Sequence, residues 1–375
     1  MTEHEKVFFS ILRSALWSTP VEGAEDFTQW GAVMKLAKAQ ALMGLVGYVL
    51  LTRSEIRDGL PPKFVVRLQD IPMTNIGMHS QTNKALQLVV LTLRKAGVEP
   101  VLLKGQGLAR NYPIPELRQC GDIDLYVGEE DYEKVHALLV PMASEIDDLS
   151  CLSIGKHFHV KVANSLIEVH RFAEVHASLS FNKIYQEYAS EGLSKDLVPI
   201  NFGDVYVNTP ADNFNAFYVF NHLWHHFITE GVGLRQMCDW MLFLHSRYGS
   251  LDLDYLKRLL ERMDLILPWQ TFGCILVDYL GMPVEEFPYY NPKFSFKGRL
   301  VLDRIMKEGN FGMETSYVRK RNHSYLYEKC FSLKCHVSRT VGLIRIFPRH
   351  TFRQFGYMIS KGFRVVIKDK LKKKI

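Results

Sequence analysis

The chain has 375 residues, 47% hydrophobic and 23% charged, with a formal net charge of +6. That balance fits a globular protein of two or three packed units and excludes a disordered chain; a charge of this size does not by itself imply a nucleic-acid partner. No apolar run approaches the roughly 18–20 residues of a spanning helix, and the start Met1-Thr2-Glu3-His4-Glu5-Lys6 lacks the basic-then-apolar form of a signal peptide.

Residues up to about 97 read as helical. Phe8, Phe9, Ile11, Leu12, Leu16 and Trp17 recur at helical spacing, and a second helix fits about 27–51. A third fits about 62–96, with a break expected at Pro72 and a C-cap at Gly97. From about 98 to 209 the pattern changes. Val101-Leu102-Leu103 is a short buried-type strand, followed at once by Lys104-Gly105-Gln106-Gly107. A second strand is Gly121-Asp122-Ile123-Asp124-Leu125-Tyr126-Val127, and a helix fits about 129–140. His157 to Val162 and Leu166 to His170 form a hairpin with its turn at Asn164-Ser165. A last strand pair fits Leu197 to Ile200 and Val205 to Val207. Helices resume over about 210–320, with an aromatic stretch from Asn213 to Thr229 that contains His222, His225 and His226. The remainder, about 321–375, mixes aromatics with basic residues and ends in a lysine-rich segment able to lie on an anionic membrane surface or a partner protein.

The expected division is therefore a helical N-terminal region at about 1–97, a core at about 98–209, a helical domain at about 210–320 and a basic aromatic tail at about 321–375. Strands and helices mix without regular βαβ alternation, so the fold class is α+β, a small mixed sheet flanked by helical regions. The six cysteines (Cys120, Cys151, Cys238, Cys274, Cys330, Cys335) include no CxxC pair. Neither a zinc site nor a disulfide framework is supported, and reduced thiols in a cytoplasmic setting are expected, with the tail peripheral to a membrane if it binds one.

Chemistry concentrates around Asp122 and Asp124. Two residues apart on a strand, they point the same way, and like charges side by side repel. A cation between them relieves the repulsion, and oxygen-only ligands suit Mg²⁺ or Mn²⁺. Glu168, in the strand Leu166-Ile167-Glu168-Val169, adds a third carboxylate if the two strands are neighbours. His170 shares its face and is placed near the site. Three carboxylates can hold the metal ions that align a triphosphate with an attacking oxygen. Gly105 and Gln106, directly after a strand, can bring backbone N–H groups to phosphate, and Lys104 adds a point charge. Arg118 is a second candidate phosphate ligand. His222 and His226, at i and i+4, share a helix face. With Arg235 and Asp239 of the next helix they are read as lining the cleft; no third ligand supports a histidine-centred metalloenzyme.

These motifs resemble a known group. A Gly-rich turn, then Gly121-Asp122-Ile123-Asp124-Leu125, then a later strand carboxylate resembles the polymerase-β-type nucleotidyltransferase superfamily. More narrowly, the order Leu102-Leu103-Lys104-Gly105, Tyr112-Pro113, Leu117-Arg118, Gly121 to Leu125 and Ile167-Glu168-Val169-His170 is similar to the bacterial "uncharacterised nucleotidyltransferase" family. The likeness continues through His222, His225-His226, Leu234-Arg235, Asp239 and Glu308-Gly309-Asn310-Phe311-Gly312, over roughly residues 80 to 315. It implies that Asp122, Asp124 and Glu168 bind metal, that Glu168 helps deprotonate the acceptor hydroxyl, and that Gly105 meets the nucleotide phosphates beside Gly121. One position departs: where the superfamily turn has a serine after the glycine, this chain has Gln106.

The function expected on these grounds is Mg²⁺- or Mn²⁺-dependent transfer of a nucleoside monophosphate from a nucleoside triphosphate to an acceptor hydroxyl or phosphate. The acceptor would be a small molecule, a sugar or lipid intermediate, or a protein. Nucleic acid is disfavoured, because no basic stripe interleaved with aromatics accompanies the core. The alternative is a catalytically inactive protein of the same fold that binds a nucleotide or phospholigand and acts through a partner or membrane.

Overall fold

A computed structural model describes residues 1–146, 155–176, 178–312 and 337–357. The basic segment 361–375 lies outside them. Among the described residues no helix is long and apolar enough to cross a membrane.

The N-terminal part is helical: α1 (Glu3–Trp17), α2 (Trp30–Ala39), α3 (Met43–Thr52), α4 (Ser54–Arg57) and α5 (Pro62–Lys95). The single helix expected over about 27–51 is two, because Ala41 takes φ +56 and turns the chain between α2 and α3. The break expected at Pro72 is absent; α5 runs through it for 34 residues. A proline removes one backbone donor, and packing along the rest of a long helix can offset that loss.

The middle of the chain gives β1 (Val101–Leu102), α6 (Gln106–Ala109), β2 (Ile123–Tyr126), α7 (Gly128–Leu139), β3 (Glu145–Ile146), β4 (His157–Val162), β5 (Ser165–His170), α8 (Leu179–Gly192), β6 (Val198–Phe202) and β7 (Val205–Thr209). Helix α8 was not expected from the sequence. The strands form one mixed sheet in the order β3-β4-β5-β2-β1-β7-β6. The β2–β5 and β1–β7 pairs are parallel and the others antiparallel. The α+β class read from the sequence is therefore the class observed.

One sheet face is dry. Ile123, Leu125, Ile167 and Val169 are fully buried there, against Leu86, Val89, Val90 and Leu93 of α5 and Tyr132, Val135 and Leu139 of α7. Period-two alternation then sends Asp122, Asp124, Glu168 and His170 to the opposite face.

After β7 the chain is helical again, with α9 (Asp212–Thr229), α10 (Leu234–Ser246), α11 (Leu253–Arg262), α12 (Ile266–Asp278) and α13 (Ser295–Glu308) and helical turns at 337–344 and 348–357; of these α9 reaches over that face, where its His222 meets Lys104. A second apolar core runs from Phe8, Phe9 and Leu12 of α1 through Phe217 and Phe220 of α9 to Trp240, Trp269 and Phe347. The N-terminal helices and the helices after β7 thus share one core, and α9 is packed into it on the side away from Lys104.

Candidate active site

Parallel pairing of β2 with β5 sets Asp124 opposite Glu168 and Tyr126 opposite His170. Ligand oxygens of Asp122, Asp124 and Glu168 all lie within 4.8 Å of one another. Asp124 is almost wholly buried, at 2% exposure, so its charge needs partners. It has two: the Lys104 Nζ donates to its Oδ1 at 2.9 Å, and His170 Nε2 donates to the same oxygen at 3.1 Å.

Electrostatics separate the three acids. The neighbouring Asp124 charge, then burial, pushes Asp122 up to about 6, with Lys104 pulling the other way. For Asp124 burial is the largest influence and raises its pKa, but Lys104 and the His170 hydrogen bond outweigh it and hold the group below the usual carboxylate range. Glu168 is also held low: a hydrogen bond from His159 and the charges of His170 and Lys104 overcome its burial. Burial works against the Lys104 charge, yet Asp124, Glu168 and Asp122 together keep it above the ordinary lysine value. A carboxyl pushed up beside two that are held low is the signature of a site short of positive charge. The donor set, three carboxylates on one face, fits a hard divalent cation.

The turn after β1 is built for close approach. Gly105 has φ +55 and ψ −113, and a Cβ there would stand 3.1 Å from the Asp122 carbonyl oxygen. Gly105→Ala is therefore expected to destabilise the protein by about 1–3 kcal/mol. Chemical unfolding reads that loss, and a displaced Asp122 is the expected structural consequence. Gly121 sits under the Arg235 guanidinium, whose Nη1 would be 3.6 Å from an added Cβ.

Other residues singled out from the sequence serve as braces. Arg118 grips Asp239 with Nε to Oδ1 at 2.7 Å and Nη2 to Oδ2 at 2.8 Å, and all of these atoms are buried. Tyr112 Oη donates to the same Asp239 Oδ1 at 2.7 Å. Arg235 donates to the Gln119 carbonyl at 2.9 Å. The Arg118 fork is thus filled by a carboxylate from α10 rather than turned toward a phosphate, and Asp239 faces Arg118 rather than an open cleft. Gln106 is buried too, donating to Asn83 Oδ1 of α5 at 2.6 Å.

Helix α9 supplies the roof. Lys104 Nζ donates to His222 Nε2 at 3.0 Å, and the His222 Nδ1 stands 3.7 Å from Glu174 Oε2. Glu174, 3% exposed, is also met by Lys156 Nζ at 3.3 Å. A line of Glu174, His222, Lys104 and Asp124 therefore runs from the roof to the sheet. His226 stacks edge-on against His222 at 4.4 Å and pairs with Glu230 at 3.3 Å, one step further from the acids. Glu174 was not singled out from the sequence, since it lies in a loop with no motif. Nor were His157 and His159 brought to the site, yet His157 Nδ1 is 3.1 Å and His159 Nε2 3.7 Å from Glu168.

Half-buried imidazoles make the fold acid-sensitive. Burial, with Lys104 adding to it, lowers His222 to about 3; burial lowers His157 and His176 to about 4. Folded pKa values below the unfolded value of about 6.5 mean that the unfolded chain binds more protons. Their contribution is complete above about 6.5 and is lost as pH falls from there toward 4. Denaturant midpoints measured against pH should fall across that window, and His176→Asn should flatten the slope.

No curated protein and no solved structure matches the chain. A family model described as "Uncharacterised nucleotidyltransferase" matches residues 26–277, a span that holds the turn, all three carboxylates and the α9–α10 roof. The chain carries a nucleotidyltransferase domain, and it belongs to that family.

Proposed function

We propose that the protein is a Mg²⁺-dependent nucleotidyltransferase that moves a nucleoside monophosphate from a nucleoside triphosphate to an acceptor hydroxyl or phosphate and releases pyrophosphate. The observation that carries this reading is the convergence of Asp122, Asp124 and Glu168 on one sheet face with Lys104 among them. The three acids would hold the divalent cation, which when bound neutralises the phosphates and the attacking oxygen.

The chain's own residues do the rest by position and charge. Lys104 sits at the end of the Gly105 turn and can turn from Asp124 to a phosphate oxygen once a cation takes over the acids. His222 and Glu174 hold its ammonium in place from above. Glu168, kept ionised by its hydrogen bond from His159 and the charges of His170 and Lys104, is free of a proton and suits the role that the family resemblance implies, helping to take the proton of the acceptor hydroxyl. The raised pKa of Asp122 comes first from the neighbouring Asp124 charge, and a cation held by the three acids would relieve it.

Pyrophosphate release from each of four nucleoside triphosphates, with Mg²⁺ and a small-molecule extract as the acceptor pool, tests the activity. Extract-dependent release by the wild type that Asp122→Asn lacks supports it; equal release by both proteins opposes it.

A second reading has one observation in its favour. Gln106 stands where the superfamily turn has a phosphate-binding serine, and its amide is committed to Asn83. A domain that binds a nucleotide or phospholigand without turning it over would show Mg²⁺-dependent binding and no pyrophosphate release.

A further inference from the structure

Strands β4 and β5 carry an arrangement that the carboxylate site uses only in part, through Glu168 and through His170, whose Nε2 meets Asp124. Their antiparallel register sets His157 opposite His170 and His159 opposite Glu168. Residues two apart on a strand share a face, so three imidazoles and a carboxylate form a two-by-two patch on the sheet. Ligand atoms of His157, Glu168 and His170 all lie within 4.8 Å of one another. His157 Nδ1 reaches 3.1 Å from Glu168 Oε1 and His170 Nε2 3.5 Å from the same oxygen. His157 Nδ1 is buried and forms no hydrogen bond of good geometry, although it points at that carboxylate. His170 is 5% exposed, whereas the side chains of His157 and His159 are 27% exposed, which leaves a way in from solvent.

We propose that His157, His170 and Glu168, with His159 beside them, form a binding site for a first-row transition-metal ion, adjoining the all-oxygen set of Asp122 and Asp124. Imidazole nitrogens favour Mn²⁺, Fe²⁺, Co²⁺ or Zn²⁺ over Mg²⁺, which keeps to oxygen ligands. Ligand atoms that share such an ion at about 2.0–2.2 Å stand roughly 3–4 Å apart, within reach of small side-chain rotations from the observed spacing. Two chemically different sites would then meet at Glu168: a hard one toward β2 and a softer one toward β4. The inference shares Glu168 and His170, whose Nε2 would turn from Asp124 to the ion, with the nucleotidyl-transfer reading and rests on it only there.

The test is pulsed EPR of the full-length protein with one equivalent of Mn²⁺, reading the nitrogen couplings of bound imidazole. Nitrogen coupling is expected in the wild type and in Asp122→Asn, and is expected to vanish in His157→Ala. Affinity for Zn²⁺, measured by competition, should fall at least about 10–100-fold in His157→Ala, the loss known for residues that merely support a ligand. His157→Gln with an unchanged melting curve guards against a folding defect. Mn²⁺ bound without nitrogen coupling in the wild type, or coupling that survives in His157→Ala, would overturn the inference and leave the carboxylate site standing. No Mn²⁺ bound at all would overturn both.

Discussion

Asp124→Asn is expected to reduce Mg²⁺-dependent nucleotidyl transfer by at least about 10²–10³-fold, the cost of removing one pre-organised electrostatic contact from an active site. The substitution keeps shape and takes away charge. Asp124 is the centre of the constellation: Lys104 at 2.9 Å, His170 at 3.1 Å and Glu168 directly across the strand pair. With an amide there, one of the three proposed cation ligands is lost, and Lys104 keeps only Glu168 and Asp122 to balance it. The loss should fall on turnover and on Mg²⁺ dependence rather than on the fold, because Ile123 and Leu125 still anchor the strand in the dry core. Transfer rates against Mg²⁺ concentration, with circular dichroism as a control, check this. Near-normal transfer by a folded Asp124→Asn protein would mean that the acids do not carry the chemistry.

Asp239→Ala is expected to have the largest effect on stability, about 3–5 kcal/mol, with a lower denaturant midpoint. The reason is what remains behind. Arg118, 4% exposed, would keep a buried guanidinium without its carboxylate, and Tyr112 would lose its nearer acceptor, keeping only the Arg235 carbonyl at 3.4 Å. An unpaired buried charge costs far more than the pair contributes. Arg118 and Asp239 tie the loop before Asp122 to α10, so partial unfolding should also loosen the carboxylate cluster. Arg118→Met/Asp239→Leu, which removes both charges and keeps most of the volume, should recover much of the lost stability. If Asp239→Ala unfolds within about 1 kcal/mol of wild type, the brace is not what holds the loop.

The carboxylate triad was legible because period-two alternation forces Asp122, Asp124 and Glu168 out of an otherwise apolar sheet core. The class of fold was legible for the same reason: short apolar strands without βαβ alternation. The roles of His157 and His159 were not, because only His170 was read as sharing the face of Glu168. Ala163 and Asn164 take positive φ and place the turn one residue earlier than Asn164-Ser165, so Glu168 faces His159 rather than Lys161 and His157 faces His170. Directly paired residues share a sheet face, and the pairing of β4 with β5 brings both histidines to the acid. Arg118 shows a different limit. A basic residue close before an acidic strand reads as a phosphate ligand, and only the packing of α10 reveals that Asp239, far along the chain, takes its fork. Helix α8 escaped notice because its apolar positions, among them Tyr185 and Ala189, are sparse and the rest of its surface is polar.

The most direct test is a thermal-shift titration with ATP, GTP, CTP and UTP, each with and without Mg²⁺, on the wild type and on Asp122→Ala/Asp124→Ala. A ligand that binds only the folded state raises the melting temperature by mass action. A Mg²⁺-dependent rise with at least one nucleotide, absent from the double variant, is the expected result. The same rise in both proteins, or no rise with any nucleotide, would contradict a nucleotide site built on these carboxylates.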